Sequence, residues 1–198
     1  MSRPSARAVA RTVLGMALCA VVLTACDDFP PGARKAGAPE APATPPPAAF
    51  TSRLTGDVSG YYLPTEEVRA GKWRVRNLFI GQVSDFADWE AGRRMGTFAP
   101  VMIELEDETS PMTATELGEV RSGQVRVLPV RYQVSDDRVV FEGSTDSVGE
   151  VRFDGRLDQE ALATSRRNLG DEGAVLTGTL HVGGRSFGGV RLRWWAGD

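Results

Sequence analysis

Ala174-Val-Leu-Thr-Gly-Thr-Leu-His-Val-Gly-Gly-Arg-Ser-Phe-Gly-Gly-Val-Arg-Leu-Arg-Trp-Trp195 is the stretch that decides the fold. Gly183-Gly184 separates two apolar-alternating runs and reads as a two-residue hairpin, because both central positions of that turn need positive φ. Counting outward from it pairs Leu180 with Phe187. Continued without interruption, the same count sets Leu176 against Arg191, an apolar side chain against a charge on one face. A one-residue β-bulge at Gly188-Gly189 removes the conflict, since glycine tolerates the backbone a bulge requires. Beyond it Val190, Leu192 and Trp194 alternate with Arg191 and Arg193, the signature of a strand wet on one face.

The same period of two runs outward through the chain. Leu54, Gly56, Val58, Gly60 and Tyr62 form one series, and Trp73, Val75 and Phe79 a second. Val101, Ile103 and Leu105 alternate with Met102, Glu104 and Glu106, and Val151, Phe153 and Leu157 alternate with Arg152, Asp154 and Arg156. Residues 124–133, 137–143 and 174–182 complete about eight antiparallel strands, so the expected fold is all-β, a barrel or a sandwich. Leu128-Pro129 marks a phase slip, from Val125/Val127 to Val130/Tyr132. One short helix is expected near 158–169. Asp158 is its N-cap, Leu157 and Leu162 its apolar staple, Arg166 and Arg167 suit its C-terminal dipole, and Gly170 is its stop. A helical turn is also expected after Ser110-Pro111.

The N-terminal quarter has a different composition. Arg3, Arg7 and Arg11 precede an apolar run from Thr12 to Ala25 with no acid, the layout of a secretory signal. Only 14 uncharged residues lie between Arg11 and Cys26, short of the ~20 a membrane span needs. Leu23-Thr24-Ala25-Cys26 resembles a bacterial lipobox. That resemblance implies cleavage before Cys26, a diacylglycerol thioether on its sulfur and an acyl chain on its amine; a plain secretory signal cut after Ala25 is the alternative. Two or more acyl chains suffice for stable anchoring. Asp27 resembles the residue that retains enteric lipoproteins in the inner membrane, so the resemblance places the chain in the cell envelope, facing the periplasm.

Residues 26–50 form a linker, with seven of the twelve prolines between 27 and 50. Such a segment buries little apolar surface and acts as a semi-rigid spacer, reaching at most ~75 Å as polyproline II. Residues 51–198 are then one domain, long enough for a core without staples. Removing residues 1–25 takes three arginines and no acid from a net charge of −3, leaving −6. That balance argues against a nucleic-acid partner. Cys19 leaves with the leader and Cys26 is consumed by the lipid, so the domain has neither a disulfide nor a thiol nucleophile.

Reactive constellations are sparse. His181 is the single histidine and falls on the polar phase with Thr177 and Thr179; no Gly-x-Ser-x-Gly elbow accompanies it. One histidine without a free cysteine argues against a transition-metal site, and the Asp-x-Asp-x-Asp-Gly calcium loop is absent. Gly92-Arg93-Arg94-Met95-Gly96 lacks the lysine of a phosphate loop and reads as a hairpin turn. The acids Asp85, Asp88, Glu90, Glu104, Glu106, Asp107 and Glu108 offer the carboxylate pair that glycoside hydrolysis uses, or else a solvated strand face. Tyr61, Trp89 and Trp195 fall outside the core phases and are the candidate binding residues, because exposed aromatic rings serve sugar stacking and protein contact.

Gly71-Lys72-Trp73 resembles the Gly-x-Trp of lipocalins, which implies an eight-stranded barrel able to hold a small apolar ligand. Here, however, a full strand precedes the motif. Three readings follow. The first is a membrane-tethered envelope lipoprotein with a non-enzymatic binding domain, its partner an envelope protein or a glycan and no cofactor required. The second is a lipocalin-like carrier, which needs a hollow barrel. The third is a carboxylate-based glycan hydrolase.

Overall fold

The computed structural model describes residues 48–116 and 118–197, and the chain there is mostly β. In order the strands are β1 (Phe50–Arg53), β2 (Gly60–Pro64), β3 (Arg69–Ala70), β4 (Trp73–Ile80), β5 (Val101–Asp107), β6 (Met112–Thr115), β7 (Gly118–Arg121), β8 (Gln124–Val127), β9 (Pro129–Ser135), β10 (Arg138–Thr145), β11 (Gly149–Leu157), β12 (Ala174–Val182) and β13 (Arg185–Trp195). Helix α1 (Val83–Glu90) lies between β4 and β5, and α2 (Gln159–Arg167) between β11 and β12.

The main sheet runs β1-β9-β10-β11-β12-β13-β2-β4-β5-β8, with β3 added to β4 and β6–β7 a separate hairpin. Among the described strands only the β1–β9 pair is parallel. The sheet curls into a half-barrel, and its two sides are joined by a single bent stretch of chain. β8 pairs with β5. After the bend at Leu128-Pro129 the same stretch, now β9, pairs with β10. The eight strand regions expected from the alternation are therefore all present, with β8 and β9 the two halves of one region. β1, β3, β6 and β7 are additions to them.

Alternation sets the inner face. Tyr62, Leu78, Ile80, Val101, Ile103, Leu105, Tyr132, Phe141, Val151, Phe153, Leu176, Leu180, Leu192 and Trp194 are all buried. Removing each such side chain from water contributes ~1.5–3 kcal/mol, which is what holds a sheet without disulfides. The interior space bounded by Val75, Leu78, Ile103, Phe153, Leu180, Val190 and Leu192 measures about 10 Å³. Between these strands the interior is filled with side chains.

The hairpin at Gly183-Gly184 forms as its sequence dictates, with φ of +53° and +85°. Leu180 faces Phe187, Gly178 faces Val190 and Leu176 faces Leu192, so β13 carries one extra residue between 187 and 190. Gly189, at φ +69°, takes up that bulge. The slip near Pro129 is real but sits one residue on. Arg131 pairs with Glu142 and Pro129 with Gly143, which squeezes Val130 out of the ladder to 60% exposure.

Other expectations need correction. Leu54 to Ser59 is a loop rather than the start of a strand, since Asp136 holds Thr55 and Gly56 through their backbone N–H groups. A register shift at Arg76 reverses the phase of β4, so Leu78 faces inward and Phe79 outward. After Pro111 the chain forms the exposed β6–β7 hairpin, not a helical turn. Helix α2 keeps its Asp158 cap, whose carboxylate accepts the N–H groups of Glu160 and Ala161 at 3.0 and 2.9 Å. It ends earlier than expected, at Arg167, with Asn168 in an extended conformation, so Gly170 is not its stop.

Helix α1 has no counterpart among the elements expected from the alternation. Asp85 Oδ2 accepts the N–H of Gln82 at 2.8 Å, one arm of a capping box, and Phe86 and Trp89 form the buried stripe. Trp89 is therefore not a surface residue of an acidic loop. It is 6% exposed, edge-on to Phe50 of β1 at 6.1 Å, with the Arg94 guanidinium over its ring at 5.5 Å. The Gly92–Gly96 segment follows this helix rather than closing a hairpin.

Candidate binding face

On the outer face, cross-strand register brings Trp195 of β13 opposite Tyr61 of β2, and Tyr61 opposite Phe79 of β4. The rings meet in sequence: Trp195 to Tyr61 at 5.5 Å, Tyr61 to Phe79 at 5.2 Å, and Phe79 to Phe98 at 5.8 Å. All are tilted or edge-on, the favoured aromatic arrangements. Trp195 is 36% exposed and the other three are half-buried. The sequence had singled out Tyr61 and Trp195. Phe79 escaped because the shift at Arg76 hides its phase, and Phe98 because it lies in a loop.

At the end of this row is a groove of about 710 Å³, lined by Tyr61, Phe79, Phe98 and Trp194 together with Asp57, Asp85 and Arg166. Arg166 is delivered by the last turn of α2. Its Nη2 donates to the Ser59 carbonyl at 3.0 Å, its Nη1 meets Asp57 Oδ2 at 3.1 Å, and its guanidinium lies 5.2 Å from the Trp194 ring centre. The Trp194 indole N–H donates to the same carbonyl at 2.9 Å. Burial pushes the Asp57 carboxyl up, but hydrogen bonds from Ser59 and the Arg166 guanidinium outweigh it and hold the group below the usual carboxylate range. The groove thus combines aromatic walls with a fixed ion pair.

Glu104 and Glu106 of β5 lie on the same outer face and Asp107 and Glu108 at the end of the strand, each against a cation. Glu106 pairs with Arg74, Glu104 with Arg126 at 2.6 Å, Asp107 with Lys72 at 2.7 Å and Glu108 with Arg69 at 2.6 Å. Lys72, followed by the Thr109 hydroxyl and N–H, lowers the Asp107 carboxyl to about 2. On α1, Asp85 caps the helix, Asp88 pairs with Arg93, and Glu90 accepts the Tyr132 hydroxyl at 3.1 Å. Burial, reinforced by the Glu90 charge, pushes the Tyr132 phenol up.

His181 is exposed on β12, opposite Arg152 on one side and Ser186 on the other. Trp73 sits at the other end of the half-barrel, its indole N–H donating to the Ser147 carbonyl at 3.2 Å and Lys72 lying over its ring. Among the described residues no group of three His, Cys, Asp or Glu side chains is placed to hold a metal ion. Among them, too, no helix is long and apolar enough to cross a membrane. The leader, the Leu23–Cys26 tetrapeptide, Asp27 and most of the proline-rich linker lie outside the described residues. No protein-family model matches the chain, and no curated protein or solved structure matches it.

Proposed function

We propose that the protein is a lipoprotein of the bacterial cell envelope, tethered through Cys26, whose β domain is a non-enzymatic binding module. The observation that carries the binding reading is the outer aromatic row Trp195–Tyr61–Phe79–Phe98, which borders a groove open to solvent. Three of its rings come from neighbouring strands of a rigid sheet, the kind of support that holds a site in place. A side-chain-filled interior weighs against a carrier of apolar molecules, and an acid row tied to arginine and lysine weighs against carboxylate catalysis. The tether rests on the sequence of the first 26 residues and the proline-rich spacer behind it.

The test of the tether is Cys26→Ala in the native cell, followed by fractionation. The protein is expected to leave the membrane pellet for the soluble envelope fraction. Unchanged membrane association would overturn the lipoprotein reading.

A further inference from the structure

We propose that the outer face of β11, β12 and β13, continued by Tyr61 of β2, binds an acidic glycan: a chain of sugars bearing carboxylates. The inference deepens the binding reading above and rests on it. Arg138 of β10 stands opposite Arg156 of β11, Arg156 opposite Thr177 of β12, and Thr177 opposite Arg191 of β13, so three arginines share one row across four strands. Arg193 follows Arg191 on the same face, and Trp195 follows Arg193.

Like charges directly opposite on a sheet are destabilising unless something offsets them. Asp154 offsets only Arg138, through two bonds of 3.0 and 2.8 Å. Arg156, Arg191 and Arg193 have no side-chain ion pair or hydrogen bond among the described residues. Glu66 and Glu67 share a shallow hollow with Arg191 without pairing with it, and Glu67 is engaged by Arg69 at 2.7 Å. Most other arginines of the sheet have a carboxylate in contact, among them Arg69, Arg74, Arg126, Arg138 and Arg152. In a chain where 26 acids outnumber 23 bases, three arginines of one face without ion-pair partners mark a face whose counter-charge comes from outside.

The chemistry of that counter-charge follows from the side chains. Arginine presents a planar fork that matches carboxylate oxygens two at a time. Strands lie ~4.8 Å apart, so Arg156 and Arg191, two strands apart, are separated by ~10 Å, a repeat rather than a point. Between them the exposed hydroxyl of Thr177 offers both a donor and an acceptor. At the upper end Trp195 exposes a ring backed by Tyr61, a platform for the apolar face of a sugar. Charge alone fits any polyanion; repeated forks, a hydroxyl and an aromatic platform on one flat face fit a carboxylated sugar chain.

The full chain, purified in detergent, is titrated with hexagalacturonate, with neutral maltohexaose, with polyglutamate and with phosphatidylglycerol vesicles. Hexagalacturonate is expected to bind and the other three to bind at least ten-fold more weakly. The double change Arg156→Gln, Arg191→Gln and the single change Trp195→Ala are each expected to weaken hexagalacturonate about ten-fold or more. Arg126→Gln, on β8 and outside that face, is expected to leave it unchanged. Absence of hexagalacturonate binding overturns the assignment. So does equal binding of polyglutamate, of the vesicles or of maltohexaose, and so does a Trp195→Ala protein that binds normally. The tether is read separately, by Cys26→Ala fractionation. A protein released by that change that still ignores hexagalacturonate overturns the glycan assignment alone.

Discussion

Gly143 of β10 lies so close to the carbonyl oxygen of Leu128 that a Cβ on it would overlap that oxygen, and would sit 2.9 Å from both Val127 Cγ1 and Phe141 Cζ. This is the point where the bent stretch 124–135 crosses from β5 to β10, so the approach is what lets the two sides of the half-barrel share one strand. Gly143→Ala is expected to lower stability by ~1–3 kcal/mol, the usual cost of overpacking against atoms that cannot yield. Equilibrium urea denaturation measures it. An unchanged midpoint would mean that the junction gives way freely.

The bulge on β13 makes a second, separable prediction. Gly189 has φ +69°, whereas a Cβ on Gly188 meets nothing within 4 Å and its φ is not in the left-handed region. Gly189→Ala is expected to cost ~1–2 kcal/mol for the left-handed backbone. Gly188→Ala stays within ~0.5 kcal/mol of the parent, as surface changes usually do. Equal effects of the two changes would show that the bulge can move by one residue.

What the sequence revealed, and what it hid, follows from how local the determining chemistry is. The Gly183-Gly184 turn, the Gly189 bulge and the Asp158 cap are each decided by a few neighbouring residues, and all three form. Helix α1 was hidden because only Phe86 and Trp89 mark its buried stripe, against three acids that read as loop. The outward turn of Phe79 depends on a register shift at Arg76, which nothing in the alternation signals. The aromatic row and the arginine row were out of reach for another reason. Tyr61 and Trp195 become neighbours, and Arg138 and Arg191 members of one row, only once the strand order is known.

Acid should loosen the end of the sheet at β5. Asp107 has a folded-state value of about 2, below the ~3.9 of an unfolded aspartate. Between those values the unfolded chain binds more protons, so stability rises with pH there and is fully present above ~4. It is lost as pH falls towards 2. Asp136, held down by the Thr55 hydroxyl and N–H and then by the Gly56 N–H, acts in the same direction. Melting temperature followed from pH 6 to pH 2 should drop across the lower half of that range. Asp107→Asn should flatten part of the drop, the more so at low salt, because Lys72 is half-exposed and its charge is screened. A parallel pH profile in the variant would show that the Lys72 pair contributes nothing.

Trp89 and Trp195 entered as equivalent candidates, and stability should separate them. Trp89 packs in the core against Phe50, so Trp89→Ala is expected to cost ~3–5 kcal/mol. Its indole N–H is buried without a partner among the described residues. Trp89→Phe therefore forfeits no hydrogen bond and loses only the part of the indole that a phenyl ring leaves as a cavity, so its cost is expected to fall below that of Trp89→Ala, at ~1–3 kcal/mol. Trp195 is more exposed, and its ring contact with Tyr61 is worth ~0.5–1.5 kcal/mol beyond the area it buries. Urea denaturation followed by far-ultraviolet circular dichroism compares the three variants without relying on tryptophan emission. A Trp195→Ala loss as large as that of Trp89→Ala would make the outer ring part of the core. It would also remove the aromatic platform from the proposed glycan site, since a residue the fold needs that strongly is not free to be spent on a ligand.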